Sequence, residues 1–383
     1  NFNFDTRGNV TMDVQEIYNC FLEKDIKFFT GVPDSLLKDI CFYIEDNTDR
    51  QNHIIAANEG NAIGIALGYH LSTGKVPLVY FQNSGLGNCI NPLLSLADKE
   101  VYAIPMIIMV GWRGEPNVKD EPQHVKQGRV QNQMLESMEI PYEVIDSHTE
   151  RIDIVIEKLK NKAMAESKPV ALIVRKGTFS EYKLISSTQN SYSMTREKAI
   201  KLVLKNIPVE SILISTTGMT SREVFEHRVS ENQIHDKDFL TVGGMGHCSS
   251  IALGVSLNTK RPTICLDGDG AALMHLGSLP IIGQYANHNF LHILLNNGAH
   301  DSVGGQNTIA FDVNFQKIAL ASGYKVVIIV DNEIDLVGAV KAIDYEKGPY
   351  LIEIRIKKGA RKDLGRPTKT PYENKKNFMN FLK

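Results

Sequence analysis

The sequence is short of several things, and each shortage narrows what the chain can be. Its five cysteines, Cys20, Cys41, Cys89, Cys248 and Cys265, are odd in number, scattered and without a CxxC spacing, which argues against a disulfide scaffold or a cysteine zinc site and fits a reduced, cytoplasmic protein. Apolar runs such as IPMIIMV at 104–110 fall far short of the roughly 20 residues that a membrane helix requires, so no membrane role is expected. Residues 1–11 lack the basic and apolar regions of a signal peptide, and the first well-patterned segment begins at Met12. Net charge is nearly absent, with 42 Lys and Arg against 44 Asp and Glu, so bulk charge offers nothing to a nucleic acid. No GxGxxG with a following acidic residue marks a dinucleotide site, and no Ser/His/Asp or zinc pattern stands out.

What is there is ordinary globular material: 383 residues, 43% hydrophobic and 22% charged. That length exceeds one core and suits two α/β domains. A repeat supports the division, because IALGYHL at 65–71 returns as IALGVSL at 251–257. Each half opens with an amphipathic helix and a strand (KFFTG at 27–31, SILIST at 211–216). A second strand (HIIAAN, FLTVGG) then runs into the Gly/Ala-rich helix carrying the match, where small residues permit close packing. The later strands correspond in order: PLVYFQN with PTICLDGD, PMIIMVG with LHILLNN, YEVID with YKVVII, and ALIVRKG with LIEIRIKKG. Short apolar strands alternating with helices imply two similar doubly wound parallel-sheet domains. We place them at 12–184 and 185–383, divided in the polar linker 180–194, with Thr195 as the N-cap of the next helix.

Ligands of open α/β sheets bind beyond the carboxyl ends of the strands. There the second half carries DGDGAA at 267–272 and NNGAHDSVGGQ at 296–306. Asp269 offers a hard anionic oxygen and Asn297 an amide oxygen, a set suited to Mg²⁺ completed by phosphate oxygens and water. Gly268 and Gly270 let the backbone approach the phosphates at a helix start. Either piece alone reads equally as a tight turn. The pair, GDG and NN separated by 25 residues and each on an apolar strand, resembles the fingerprint of thiamine diphosphate enzymes.

That resemblance implies thiamine diphosphate and Mg²⁺ as cofactors, with Asp269, Asn297 and the Ala299 carbonyl as metal ligands and Asn296 as a structural hydrogen-bonding residue. It implies that Thr217, Gly218, Gly244, Gly268, Gly270 and Ala271 contact the cofactor, and that Met245 is an apolar wedge holding it bent; core packing is the rival reading of Met245. In HIIAANEGNAIGIALGY it makes Glu59 the carboxyl group that activates the aminopyrimidine, where the plain alternative is an acidic residue complementing a helix dipole. Glutamate and metal domains of different chains make the site in this superfamily, so a homodimer or larger homo-oligomer with interfacial active sites is expected.

Segments GVPDSLLKD (31–39), QNSGLGN (82–88), GWRGEPNVKDEPQH (111–124), TTGMTSRE (216–223) and GDGAALMHLGSL (268–279) resemble the phosphonopyruvate decarboxylase family. The family lacks a domain between the halves, as this chain does; Asn307, where proline is expected, departs from its pattern. The resemblance implies non-oxidative decarboxylation of a 2-oxo acid with an anionic 3-substituent, as in phosphonate biosynthesis. Asp34 and His124 are the proton-shuttle candidates, against a turn cap and a solvated loop histidine. Ser35, Ser84 and Arg113, with nearby Lys119 and Lys126, are candidates for the substrate anion, and Arg361 and Arg366 of the tail for closing over it. Sulfopyruvate decarboxylase is the alternative enzyme, and a non-catalytic phosphate-binding α/β module the alternative of another class.

Overall fold

The computed structural model describes residues 3–4, 10–186 and 190–383; residues 187–189 of the linker, and 1, 2 and 5–9, lie outside the described residues. The chain divides into two units, Asn1–Ser187 and Thr188–Lys383.

The first unit begins with a short antiparallel pair, β1 (Asn3–Phe4) and β2 (Val10–Thr11). There follow α1 (Val14–Glu23), β3 (Phe29–Gly31), α2 (Lys38–Asn47), β4 (His53–Ile55), α3 (Glu59–Thr73), β5 (Leu78–Gln82), α4 (Leu86–Pro92), β6 (Met106–Gly111), α5 (Pro122–Ser137), β7 (Tyr142–Ile145), α6 (Ile152–Glu166) and β8 (Pro169–Val174). Six strands pair in parallel in the order β4-β3-β5-β6-β8-β7. Period-two alternation distributes the sheet's side chains between two cores. Leu78, Tyr80, Ile107, Met109, Val170 and Leu172 enter one, and Val79, Phe81, Ile108, Val110, Ala171 and Ile173 the other. Each such buried aliphatic side chain contributes about 1.5–3 kcal/mol, and a sheet covered on both faces requires runs without polar interruption.

The second unit repeats the plan: α7 (Arg196–Asn206), β9 (Ile212–Ser215), α8 (Met219–Ser230), β10 (Asp238–Leu240), α9 (Cys248–Ser256), β11 (Thr263–Gly268), α10 (Asp269–Met274), α11 (Ser278–Tyr285), β12 (Phe290–Asn296), α12 (Phe315–Ser322), β13 (Val326–Val330), α13 (Glu333–Lys341), β14 (Tyr350–Arg355) and α14 (Pro371–Leu382). Its parallel order, β10-β9-β11-β12-β14-β13, is that of the first unit strand for strand, and the two IALG segments lie in the equivalent helices α3 and α9. Thr195 caps α7, its hydroxyl accepting from the Lys198 N–H at 3.2 Å.

Asp46 on α2 accepts through its carboxylate from the backbone N–H groups of Ile185 and Ser186 at 2.8 and 2.9 Å and from the Tyr182 hydroxyl at 3.0 Å. These bonds hold the start of the polar linker on the first unit. In both sheets the chain reverses its direction of travel after the first core strand, between β3 and β5 and between β9 and β11. The crevice at such a reversal is where doubly wound sheets take ligands.

Candidate active site

In the first unit the segments beyond β3 and β6 bring Asp34, Ser35, Arg113 and His124 together. Asp34, just beyond β3, is 0% exposed. Its Oδ2 accepts from the Leu37 N–H at 3.2 Å, so it does cap the following turn, but Oδ1 is buried without a partner. Burial pushes this carboxyl up to about 6, against the pull of nearby backbone amides and of Arg113. The end of β6 presses against it, since a Cβ on Gly111 would lie 2.2 Å from Oδ2.

Arg113 follows two residues later. It donates through Nε and Nη2 to both oxygens of Asp120 at 2.8 and 2.5 Å, and through Nη1 to Ser35 Oγ at 2.9 Å. Asn83, beyond β5, fixes its backbone by accepting from its N–H at 3.2 Å and donating to its carbonyl at 2.8 Å. The guanidinium thus arrives with its counter-charge attached, and two of its five N–H donors stay uncommitted.

His124 is neither in a loop nor solvated: it lies buried in the first turn of α5, with Nδ1 unpartnered. Burial, reinforced by Arg113, pushes its pKa down to about 4, so the imidazole is neutral at pH 7. Ser84 is exposed and accepts from Gln82 Nε2 at 2.6 Å; Lys119 and Lys126 are likewise exposed.

Glu59 is the first residue of α3 and is buried. Asn58 before it caps the helix by accepting from the Asn61 N–H at 2.9 Å, so the glutamate is not needed as the cap. Its Oε2 accepts from Asn88 Nδ2 at 2.7 Å. Its Oε1 lies against Gly85, where a Cβ would come within 2.3 Å. A simple dipole complement would stay in solvent; this carboxyl is held in a fitted slot.

In the second unit one cavity at the β9/β11 reversal is lined by Thr217, Met245, Gly268, Asp269, Gly270, Ala271, Asn297 and Ala299. Met245 packs in neither core of this unit, and its Cε would lie 3.4 Å from a Cβ on Gly270. Two expected residues stand apart from the lining. Gly218 backs onto Ser302, whose Oγ a Cβ there would meet at 2.3 Å, and Gly244 is exposed beside Met245.

Asp269 heads α10 with its side chain buried, and its Oδ2 accepts from the Thr308 hydroxyl at 2.5 Å. Burial pushes this carboxyl up to about 7 despite that bond. Among the described residues no cationic side chain pairs with it, so it is a carboxylate whose desolvation a bound divalent cation would offset. Asn297 commits Nδ2 to Asp301 Oδ2 at 2.6 Å, which leaves its oxygen as the atom it can offer a ligand; the Ala299 N–H also donates to that oxygen, at 3.0 Å. This oxygen donor set fits Mg²⁺. Asn296 points the other way, donating to Glu353 Oε1 at 3.0 Å and accepting from the Gly298 N–H at 3.1 Å.

Sequence reasoning missed Asp120, Asn83, Asn88, Thr308 and Asp301, the groups that orient the expected residues. Their signal was weak, since each is a common polar residue in a turn or helix. Arg361 is held by Glu197, Glu226 and Asp363 and so has no free charge with which to close over an anion. Asn307 accepts from Lys358 Nζ at 3.3 Å, a contact that proline cannot make.

Comparison with known proteins identifies the family of the chain. Residues 12–138 match the thiamine pyrophosphate enzyme N-terminal TPP binding domain, and residues 216–354 the C-terminal TPP binding domain. Over 370 residues the chain is 33% identical to the phosphonopyruvate decarboxylase of Streptomyces viridochromogenes, covering 92% of this chain and 90% of that one. The phosphonopyruvate decarboxylase of Streptomyces hygroscopicus is 33% identical over 373 residues, 92% and 89% of the two chains. The sulfopyruvate decarboxylase of Methanosarcina acetivorans is 26% identical over 392 residues, 96% and 97%. A match to decarboxylases over 92% of the chain, with both cofactor-binding domains present, means that the chain belongs to the thiamine pyrophosphate enzyme family, among the relatives of phosphonopyruvate decarboxylase.

Proposed function

We propose that the chain decarboxylates 3-phosphonopyruvate non-oxidatively to phosphonoacetaldehyde and carbon dioxide. The observation that carries this reading is the second unit's cavity, where a buried carboxylate, an amide oxygen and Ala299 converge under Met245. The choice of substrate follows the two Streptomyces relatives at 33% identity, against 26% for the sulfopyruvate decarboxylase.

Asp269, Asn297 and the Ala299 carbonyl would hold Mg²⁺, and Thr217, Gly268, Gly270 and Ala271 the diphosphate, with Gly218 and Gly244 shaping the loops beside them. When bound, the cofactor would supply a nucleophilic carbon and an electron sink for the pair left by departing carbon dioxide. Glu59, its carboxyl steadied by Asn88, would hold a proton for exchange with the bound cofactor. Asp34, whose carboxyl burial pushes up to about 6, would hold the proton that replaces carbon dioxide in the product, with the neutral imidazole of His124 assisting it. Arg113 and Ser35, with Ser84 at the rim, receive the substrate's anionic end.

The active assembly would be a homodimer or larger, the Glu59 unit of one copy completing the cavity of another. Supporting this, the repeated helices keep open small-residue faces. Nothing lies within 4 Å of a Cβ placed on Gly64 or Gly68 of α3, or on Gly254 of α9. Exposed Leu71, Ile251 and Leu257 flank them, and faces of this kind pack closely against other helices.

The test is release of carbon dioxide by protein stripped of ligands and resupplied with thiamine diphosphate and Mg²⁺, offered phosphonopyruvate, sulfopyruvate or pyruvate. Cofactor-dependent release chiefly from phosphonopyruvate is expected. A preference for sulfopyruvate would replace the substrate, and release without the cofactor would overturn the reading.

A further inference from the structure

We infer that Asp301 is the positioning residue of the metal site: it sets which atom of Asn297 faces the cation. The inference rests on the reading of Asn297 as a ligand. An asparagine amide presents either oxygen or nitrogen, and only the oxygen can coordinate a cation. Three donors meet on Asp301 Oδ2: Asn297 Nδ2 at 2.6 Å, Arg196 Nη1 at 3.1 Å and the Gly359 N–H at 2.9 Å. An oxygen that accepts three times can meet only the NH₂ of Asn297, so the amide is locked with its oxygen turned from Asp301, toward the Ala299 N–H.

The lock is itself rigidly mounted. Arg196, at the start of α7, grips the buried Glu223 of α8 through Nε at 2.9 Å and Nη2 at 3.3 Å, which leaves Nη1 for Asp301. Asp301 therefore cannot turn away without leaving Nη1 of the buried Arg196 without its partner. Partners of this kind commonly govern metal affinity about 10–100-fold.

The measurement is calorimetric titration of thiamine diphosphate into metal-free protein at a series of Mg²⁺ concentrations, which reports loading independently of turnover. Asp301→Ala is expected to raise the Mg²⁺ concentration for half-maximal loading about 10–100-fold. Asp301→Asn, which keeps an acceptor oxygen for the three donors, should stay within about threefold of the parent. A role limited to neutralising Arg196 would make Asn as damaging as Ala, and that result, or an unshifted Mg²⁺ dependence in Asp301→Ala, overturns the inference. Circular dichroism checks folding, and Asp301→Ser, too short to reach Asn297, takes the place of Ala if Ala unfolds the unit. Asp269→Ala separates the two levels of argument: if it loads as well as the parent, the metal reading fails, whereas if it abolishes loading while Asp301→Ala behaves as parent, only the positioning role fails.

Discussion

Glu59 is held from two sides, by the Asn88 amide on one oxygen and by the bare backbone of Gly85 against the other. Glu59→Gln keeps that shape and removes the exchangeable proton, so turnover should fall on the order of 10²–10⁴-fold while calorimetry finds cofactor affinity little changed. Gly85→Ala keeps the carboxyl but forces it aside, and a displacement of about 1 Å should cost on the order of 10²-fold in kcat. Asp34 makes a different prediction, because its folded pKa, about 6, stands above the ordinary carboxylate value of 3.8. The folded state binds the proton more tightly, so stability from this group is present below pH 4 and is lost as pH rises toward 6. Asp34→Asn carries no such penalty. In ligand-free protein it should be more stable than the parent above pH 6, by about 3 kcal/mol, with the advantage shrinking toward pH 4. Denaturant unfolding followed across that range measures this; an unchanging difference would mean that Asp34 does not titrate there.

At the scale of elements, the segment after β8 is tied to α2 through one side chain. Asp46 accepts from Tyr182, Ile185 and Ser186, and its loss costs about 1–2 kcal/mol of local opening. Asp46→Ala should therefore speed limited proteolysis within residues 180–194 about tenfold, read as the rate at which two fragments appear on a gel. Beyond β12 two adjacent identical residues do different work: Asn296, the last residue of the strand, donates to the buried Glu353, and Asn297, just past it, lines the cavity.

For the whole molecule, the prediction concerns sharing of sites between copies. Glu59→Gln and Asp269→Ala variants, each inactive alone, should regain activity when unfolded together and refolded, because under the proposed sharing of sites a mixed dimer would have one site with both groups intact. Random pairing sets the recovery at about a quarter of the parent's activity. Recovery near zero, with dimers present by sedimentation, would mean that each chain completes its own site. Among the described residues no helix is long and apolar enough to cross a membrane.

Much of this was legible in the sequence. Strand and helix order, the repeat and the GDG and NN strand ends depend on local pattern: a strand buried on both faces must be apolar throughout, and a phosphate turn must be glycine-rich. Asp269 stood out within the glycine-rich strand end, and the family resemblance pointed to Glu59 and Asp34, which also lie at strand ends. What the sequence left open is long-range. That His124 is buried, that Arg113 carries Asp120 on its guanidinium, and that Arg361 is spent on Glu197 and Glu226 depend on partners brought up by other strands and helices. Asp301 looked like one more polar residue in a turn. Only the folded chain brings Asn297, Arg196 and Gly359 to one of its oxygens, because a hydrogen bond forms by proximity in space, and local pattern carries no record of it.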